Sequence, residues 1–144
     1  MKSRSVTQKI VGLIALAILI PSITFAADRK MAIQLNSSDP LTQKMALLNA
    51  RNLKAVIGKD KVDVELVIYG PGLSALKIEN TNSSRIKDLM DRYDLKVSVC
   101  EGTLKNYAKR HGSEPDIIEG VARVSTGAIR ILELQEQGYA YMRP

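Results

Sequence analysis

The sequence has no tryptophan, one cysteine and one histidine, and aromatic residues fill only 4 % of its 144 positions. Each scarcity removes a class of chemistry. A lone cysteine cannot close a disulfide within the chain, and Cys100 with His111 cannot make a zinc site of Cys and His ligands. A Ser-His-Asp triad would rest entirely on His111. The carboxylates Asp60, Asp63 and Asp88 lack the paired spacing that acid–base catalysis needs. No motif for a cofactor or a metal is present, so neither is expected. Apolar residues at 45 % and charged residues at 25 % exclude wholesale disorder, and the length suits one domain.

Long apolar runs are also scarce. The one that stands out is Ile10 to Ile20, preceded by Lys2, Arg4 and Lys9 without an acid, and followed by Pro21 and Thr24-Phe25-Ala26. A positive start, a short apolar centre and a small-residue exit form a secretory signal peptide over residues 1–26. Eleven apolar residues fall short of the roughly 20 that a spanning helix requires, so an uncleaved anchor is the lesser alternative. Cleavage after Ala26 leaves a domain at 27–144, exported to the periplasm, with no membrane as partner. The formal charge of +6 then falls to +3, from 18 bases and 15 acids. So mild a charge, with tyrosines not interleaved among the bases, argues against nucleic acid as a partner. Export also makes an unpaired Cys100 unusual, because thiols in oxidising compartments are normally paired, buried or used.

The mature chain alternates strands with helices. Met31–Leu35 reads as a strand, and Asp39 or Ser38 caps a helix that opens on Pro40 and stops at Gly58. Val62–Tyr69 is β-branched and apolar through its second half, the habit of a strand covered on both faces. It breaks at Gly70-Pro71-Gly72. Ser83 or Ser84 then caps a helix carrying Ile86, Leu89, Met90 and Tyr93. Leu95–Cys100 is a third strand, with Thr103 as the cap of a helix over Leu104–Arg110. Val121–Val124 is a fourth strand, Ala128–Gln137 a helix ended by Gly138, and Tyr139–Met142 an edge strand. This pattern predicts a three-layer α/β/α domain with a mostly parallel five-stranded sheet; spacing alone leaves the strand order open.

Ligands of parallel sheets bind beyond the carboxyl ends of the strands. That rule selects Asn36, Ser37 and Asp39; Gly70, Pro71 and Gly72; Cys100 and Thr103; and Ser125, Thr126 and Gly127 as pocket candidates. Cys100 stands at a strand end just ahead of a helix, where the dipole and free N–H groups favour a thiolate, although Glu101 opposes it. Gly70-Pro71-Gly72 lacks a following Lys-Ser/Thr pair and is a rigid turn rather than a phosphate loop. His111 reads as a solvated helix end, and Lys105, Lys109 and Arg110 as a solvated helix face.

Four segments in order resemble the DsrE/DsrF-like family of small α/β proteins, in its exported branch. They are Gln34-Leu35-Asn36-Ser37-Ser38-Asp39-Pro40-Leu41, Tyr69-Gly70-Pro71-Gly72-Leu73, Cys100 with Thr103-Leu104, and Ser125-Thr126-Gly127 through Leu134-Gln135-Glu136-Gln137-Gly138-Tyr139-Ala140-Tyr141. The resemblance covers about residues 30–144. It implies a parallel five-stranded sheet, homo-oligomers, and a role in sulfur relay. In such relatives a cysteine after the third strand carries sulfane sulfur as a persulfide between donor and acceptor proteins, and that cysteine corresponds to Cys100. Three readings follow: a periplasmic thiol protein using Cys100 as nucleophile and persulfide carrier; a ligand-binding module whose strand-end pocket Cys100 merely lines; and a module kept for assembly.

Overall fold

The computed structural model describes residues 29–144; the proposed signal peptide lies outside the described residues. Five strands alternate with four helices: β1 (Arg29–Leu35), α1 (Pro40–Asn52), β2 (Val62–Ile68), α2 (Thr81–Tyr93), β3 (Lys96–Cys100), α3 (Glu101–His111), β4 (Ala122–Val124), α4 (Gly127–Glu136) and β5 (Ala140–Met142). The sheet order is β4-β3-β2-β1-β5, and every pairing is parallel.

This order decides where the helices go. Steps from β1 to β2, β3 and β4 all advance in one direction, so right-handed crossovers stack α1, α2 and α3 on one face. The link from β4 to β5 returns across the whole sheet and lays α4 on the other, alone there among the described residues. Alternation along the strands matches the two faces. Ile33, Leu35, Val62, Val64, Leu66, Ile68, Val97 and Val99 belong to the larger core under the three helices. Ala32 and Val67 point the other way, into a thin core with Ile131, Leu134 and Tyr139. β2 is therefore covered on both faces, as its composition suggested, but Asp63 and Glu65 give its α4 side a polar half.

Local signals set most helix starts. Asp39 caps α1: its Oδ2 accepts from the Thr42 amide at 2.7 Å and the Thr42 hydroxyl at 2.8 Å, with Pro40 in the first turn. Thr126 caps α4 by accepting from the Ile129 amide at 3.2 Å.

Two expected caps are corrected. α2 is capped by Asn80, whose Oδ1 accepts from the Asn82 amide at 2.8 Å. Ser83 and Ser84 lie inside the helix and donate back to the carbonyls of Asn80 and Thr81, at 2.7 and 3.0 Å. α3 starts at Glu101 rather than Leu104, with Cys100 itself in the cap position. Thr103 falls in the first turn because its hydroxyl is engaged across the fold, accepting from the Gly70 amide at 2.8 Å.

Between β2 and α2 the chain makes a run of 3-10 turns, Gly70–Leu76. Buried Gln43 of α1 holds this run: its Nε2 donates to Ser37 O at 3.0 Å and to Ser74 Oγ at 2.8 Å. Its Oε1 accepts from Asn82 of α2 at 2.9 Å. Gly72 presses on the end of β1, where a Cβ would stand 2.2 Å from the Leu35 carbonyl oxygen. Backbone cannot yield as a side chain can. Gly72→Ala is therefore expected to destabilise the domain by about 3 kcal/mol in denaturant titration, and an unchanged midpoint would contradict this packing.

Candidate functional site

Parallel pairing of β3 with β4 brings Cys100 opposite Val124. The helices that follow these two strands start side by side, α3 from one face of the sheet and α4 from the other. The Cys100 sulfur lies where the two starts meet. Burial alone would push its thiol up. The Thr103 hydroxyl and the amides of Thr103, Gly127 and Gly102 outweigh that and hold it below the ordinary cysteine value. Gly102 and Thr103 belong to the first turn of α3, and Gly127 is the first residue of α4. Two helix N-termini thus supply partial positive charge to one sulfur. The thiol in turn lies 4.0 Å from the Ser125 carbonyl oxygen.

Cys100 is only 8 % exposed. Tyr69, at the end of β2, closes over the neighbourhood: a Cβ on Gly127 would stand 2.3 Å from its ring. Glycine at 127 therefore serves twice, admitting the tyrosine ring and turning its own amide toward the sulfur. Burial holds the Tyr69 hydroxyl above its ordinary value, with further contributions from Tyr141 and Cys100, so it stays protonated at neutral pH.

The sequence-selected residues divide into three groups. Cys100, Thr103, Ser125 and Gly127 gather around the sulfur, and Thr126 serves as the cap beside them. Gly70, Pro71 and Thr103 instead line a groove of about 420 Å³ between the 3-10 run and α3. Thr103 thus belongs to both places, and Cys100 does not line the groove. Asn36, Ser37, Asp39 and Gly72 are not part of either. Ser37 accepts from the Asp39 amide at 3.1 Å and, with Asp39, builds the turn into α1.

Several contributors escaped the sequence reading. Tyr69 heads the strand-end segment Tyr69–Gly72, but its packing against Gly127 is not legible from spacing. Arg110, read as part of a solvated helix face, and His111, read as a solvated helix end, are both exposed, and they also line the groove together with Lys77 and Tyr107. Glu65 could have been flagged: a carboxylate in the middle of an apolar strand needs a buried partner. Arg130 of α4 supplies one, with Nε to Oε1 at 2.8 Å and Nη2 to Oε2 at 2.7 Å, and Ser98 adds a third bond at 2.8 Å.

The family model described as "DsrE/DsrF-like family" matches residues 29–144, which is every residue described above. The chain belongs to that family. None of the curated proteins matches it. Among solved structures it is similar to the protein of unknown function MTH1491 from Methanobacterium thermoautotrophicum. The two share 28 % identity with a TM-score of 0.72, over 81 % of this chain and 100 % of that one. The neighbour supports the five-stranded α/β architecture. Membership of the DsrE/DsrF-like family links that architecture to proteins of the sulfur-relay type.

Proposed function

We propose that this protein is an exported DsrE-like sulfur carrier that accepts sulfane sulfur on Cys100 and passes it to an acceptor thiol. The observation that supports this reading best is the pair of helix N-termini converging on Cys100, which favours its thiolate. In loading, the Cys100 thiolate attacks the terminal sulfur of a donor persulfide, R–S–SH. A new S–S bond forms, the donor's own S–S bond breaks, and R–S⁻ leaves and takes up a proton. The product is Cys100–S–SH. In unloading, an acceptor thiolate attacks that terminal sulfur and releases the Cys100 thiolate. The transferred sulfur keeps its oxidation state, so no external oxidant or reductant enters.

The surroundings suit a small reacting group. A thiol 8 % exposed can meet a protruding terminal sulfur more readily than a bulky disulfide. A perthiolate on Cys100 would carry its charge toward the same amides that favour the thiolate. The N-terminal pattern of residues 1–26 supports export, and the exposed Ile129 and Leu132 on α4 support self-association of the domain.

Thr103 gives a test of the electrostatics. Thr103→Val keeps the side-chain shape but removes the hydroxyl donor, so the thiol should titrate at higher pH than in the wild type. Alkylation by iodoacetamide at pH 7 is expected to slow about ten-fold, because a hydrogen bond to a charged group contributes about 1.5–3 kcal/mol. Thr103→Ser, which retains the hydroxyl, should restore most of the rate. A Val variant with an unshifted pH–rate profile would contradict this account of the thiol.

A further inference from the structure

We propose that the groove between the 3-10 run and α3 is a binding site for a small organic anion, with Lys77 and Arg110 receiving its charged end. The inference does not rest on the sulfur-carrier reading, because Cys100 does not line the groove.

Its volume of about 420 Å³ falls in the range of roughly 300–1,000 Å³ typical of small-molecule sites. Its Gly70 and Thr103 end lies beyond the carboxyl ends of β2 and β3, where open parallel sheets place ligands. Charge then narrows the class. Lys77 and Arg110 line the groove and no carboxylate does. Glu79 is the acid closest to Lys77, at 3.6 Å, and with its side chain 71 % exposed it is a weak, solvent-screened counter-ion.

The lining side chains are held in place. Lys77 Nζ donates to the Tyr107 hydroxyl at 3.0 Å and stands 4.7 Å from the centre of the same ring. Its backbone is fixed by an antiparallel bridge to Ile117. His111 stacks on Tyr107, with ring centres 4.0 Å apart and planes at 13°. The His111 Nδ1 lies 2.9 Å from the Tyr107 carbonyl oxygen, an acceptor only, so Nδ1 carries a proton. Arg110 is bonded only through Nε, to Asn106 O at 3.2 Å, which leaves both terminal amino groups free among the described residues. Tyr107, Arg110 and His111 fall on one side of α3, three and four residues apart.

A solvated basic helix face would account for Arg110 and His111 alone. It does not account for Lys77, which comes from another element and is folded over the Tyr107 ring with its side chain 24 % exposed. Pro71 and Leu73 add an apolar wall. A cationic end beside an aromatic and aliphatic surface fits an anionic head on a compact organic body.

The test is amide chemical-shift mapping of the ¹⁵N-labelled full chain, titrated with benzoate and, separately, with the neutral isostere benzamide. Benzoate should give saturating shifts centred on Gly70, Ser74, Lys77 and Tyr107, with benzamide binding about ten-fold more weakly. Lys77→Gln combined with Arg110→Gln should weaken benzoate about ten-fold and leave benzamide unchanged. The inference is overturned by shifts that do not saturate or by equal affinity for the two probes. It is overturned too by shifts centred on the other basic groove, where Lys44, Arg51 and Arg85 line the space between α1 and α2. The wild-type comparison decides the matter even if the double variant folds poorly.

Discussion

Replacing Cys100 with serine is expected to abolish sulfur transfer while leaving the domain folded. Cys100 is the only cysteine in the chain, so no second thiol can take over. A serine oxygen fits the space of the sulfur and accepts from the same amides, but it does not form a persulfide under these conditions. The fold should tolerate the change to within about 1 kcal/mol, since the new hydroxyl retains donors around it. The measurement is a two-stage assay. The protein is incubated with a low-molecular-weight persulfide, freed of donor, and mixed with an acceptor thiol whose persulfide is then quantified. Wild type should transfer close to one sulfur per chain and Cys100→Ser none above background. Equal transfer by both, with coincident thermal melts, would show that sulfur travels by another route.

The second large effect concerns stability. Arg130→Ala should cost about 3–5 kcal/mol, a major fraction of the 5–15 kcal/mol typical of a domain. The Glu65 side chain is 4 % exposed and receives two bonds from Arg130 and one from Ser98. Without the guanidinium the carboxylate is left buried with a single donor. Glu65 and its two partners also tie α4 to β2 and β3, and α4 is the sole helix on its face among the described residues. Loosening it withdraws the Gly127 amide from Cys100, so the thiol should titrate at higher pH in the same variant. Replacing both partners, Glu65→Leu with Arg130→Leu, should recover much of the stability, because the cost of burying the charge disappears with the charge. An Arg130→Ala midpoint within experimental error of wild type would show that the pair contributes little.

What the sequence disclosed divides along the line between local and long-range causes. Asp39 was readable as a cap because its partner, Thr42, is three residues away. The alternation of apolar strands with capped helices was enough for the class and for the five strands. Cys100 could be placed at a strand end for the same reason. Thr103 differs from the expected cap: its hydroxyl partner is Gly70, on a different loop, and no local pattern reports that bond. The strand order, and with it the isolation of α4 on one face, depends on which strands pair, and spacing does not encode pairing. The meeting of the second helix start with Cys100 is not legible for that reason: the Gly127 amide reaches the sulfur only once β3 pairs with β4. Lys77, similarly, meets Arg110 and His111 only across the groove.

The central claim is that Cys100 is a reactive thiol in the folded protein, able to hold one sulfane sulfur. Its most direct test is the intact mass of the native chain after brief exposure to polysulfide at neutral pH. The account predicts a gain of one sulfur, about 32 Da, located on Cys100 by fragmentation and removed by a thiol reductant. An unchanged native mass, with sulfur taken up only after the chain is denatured, would mean that Cys100 is a buried packing residue, and the carrier reading would be wrong.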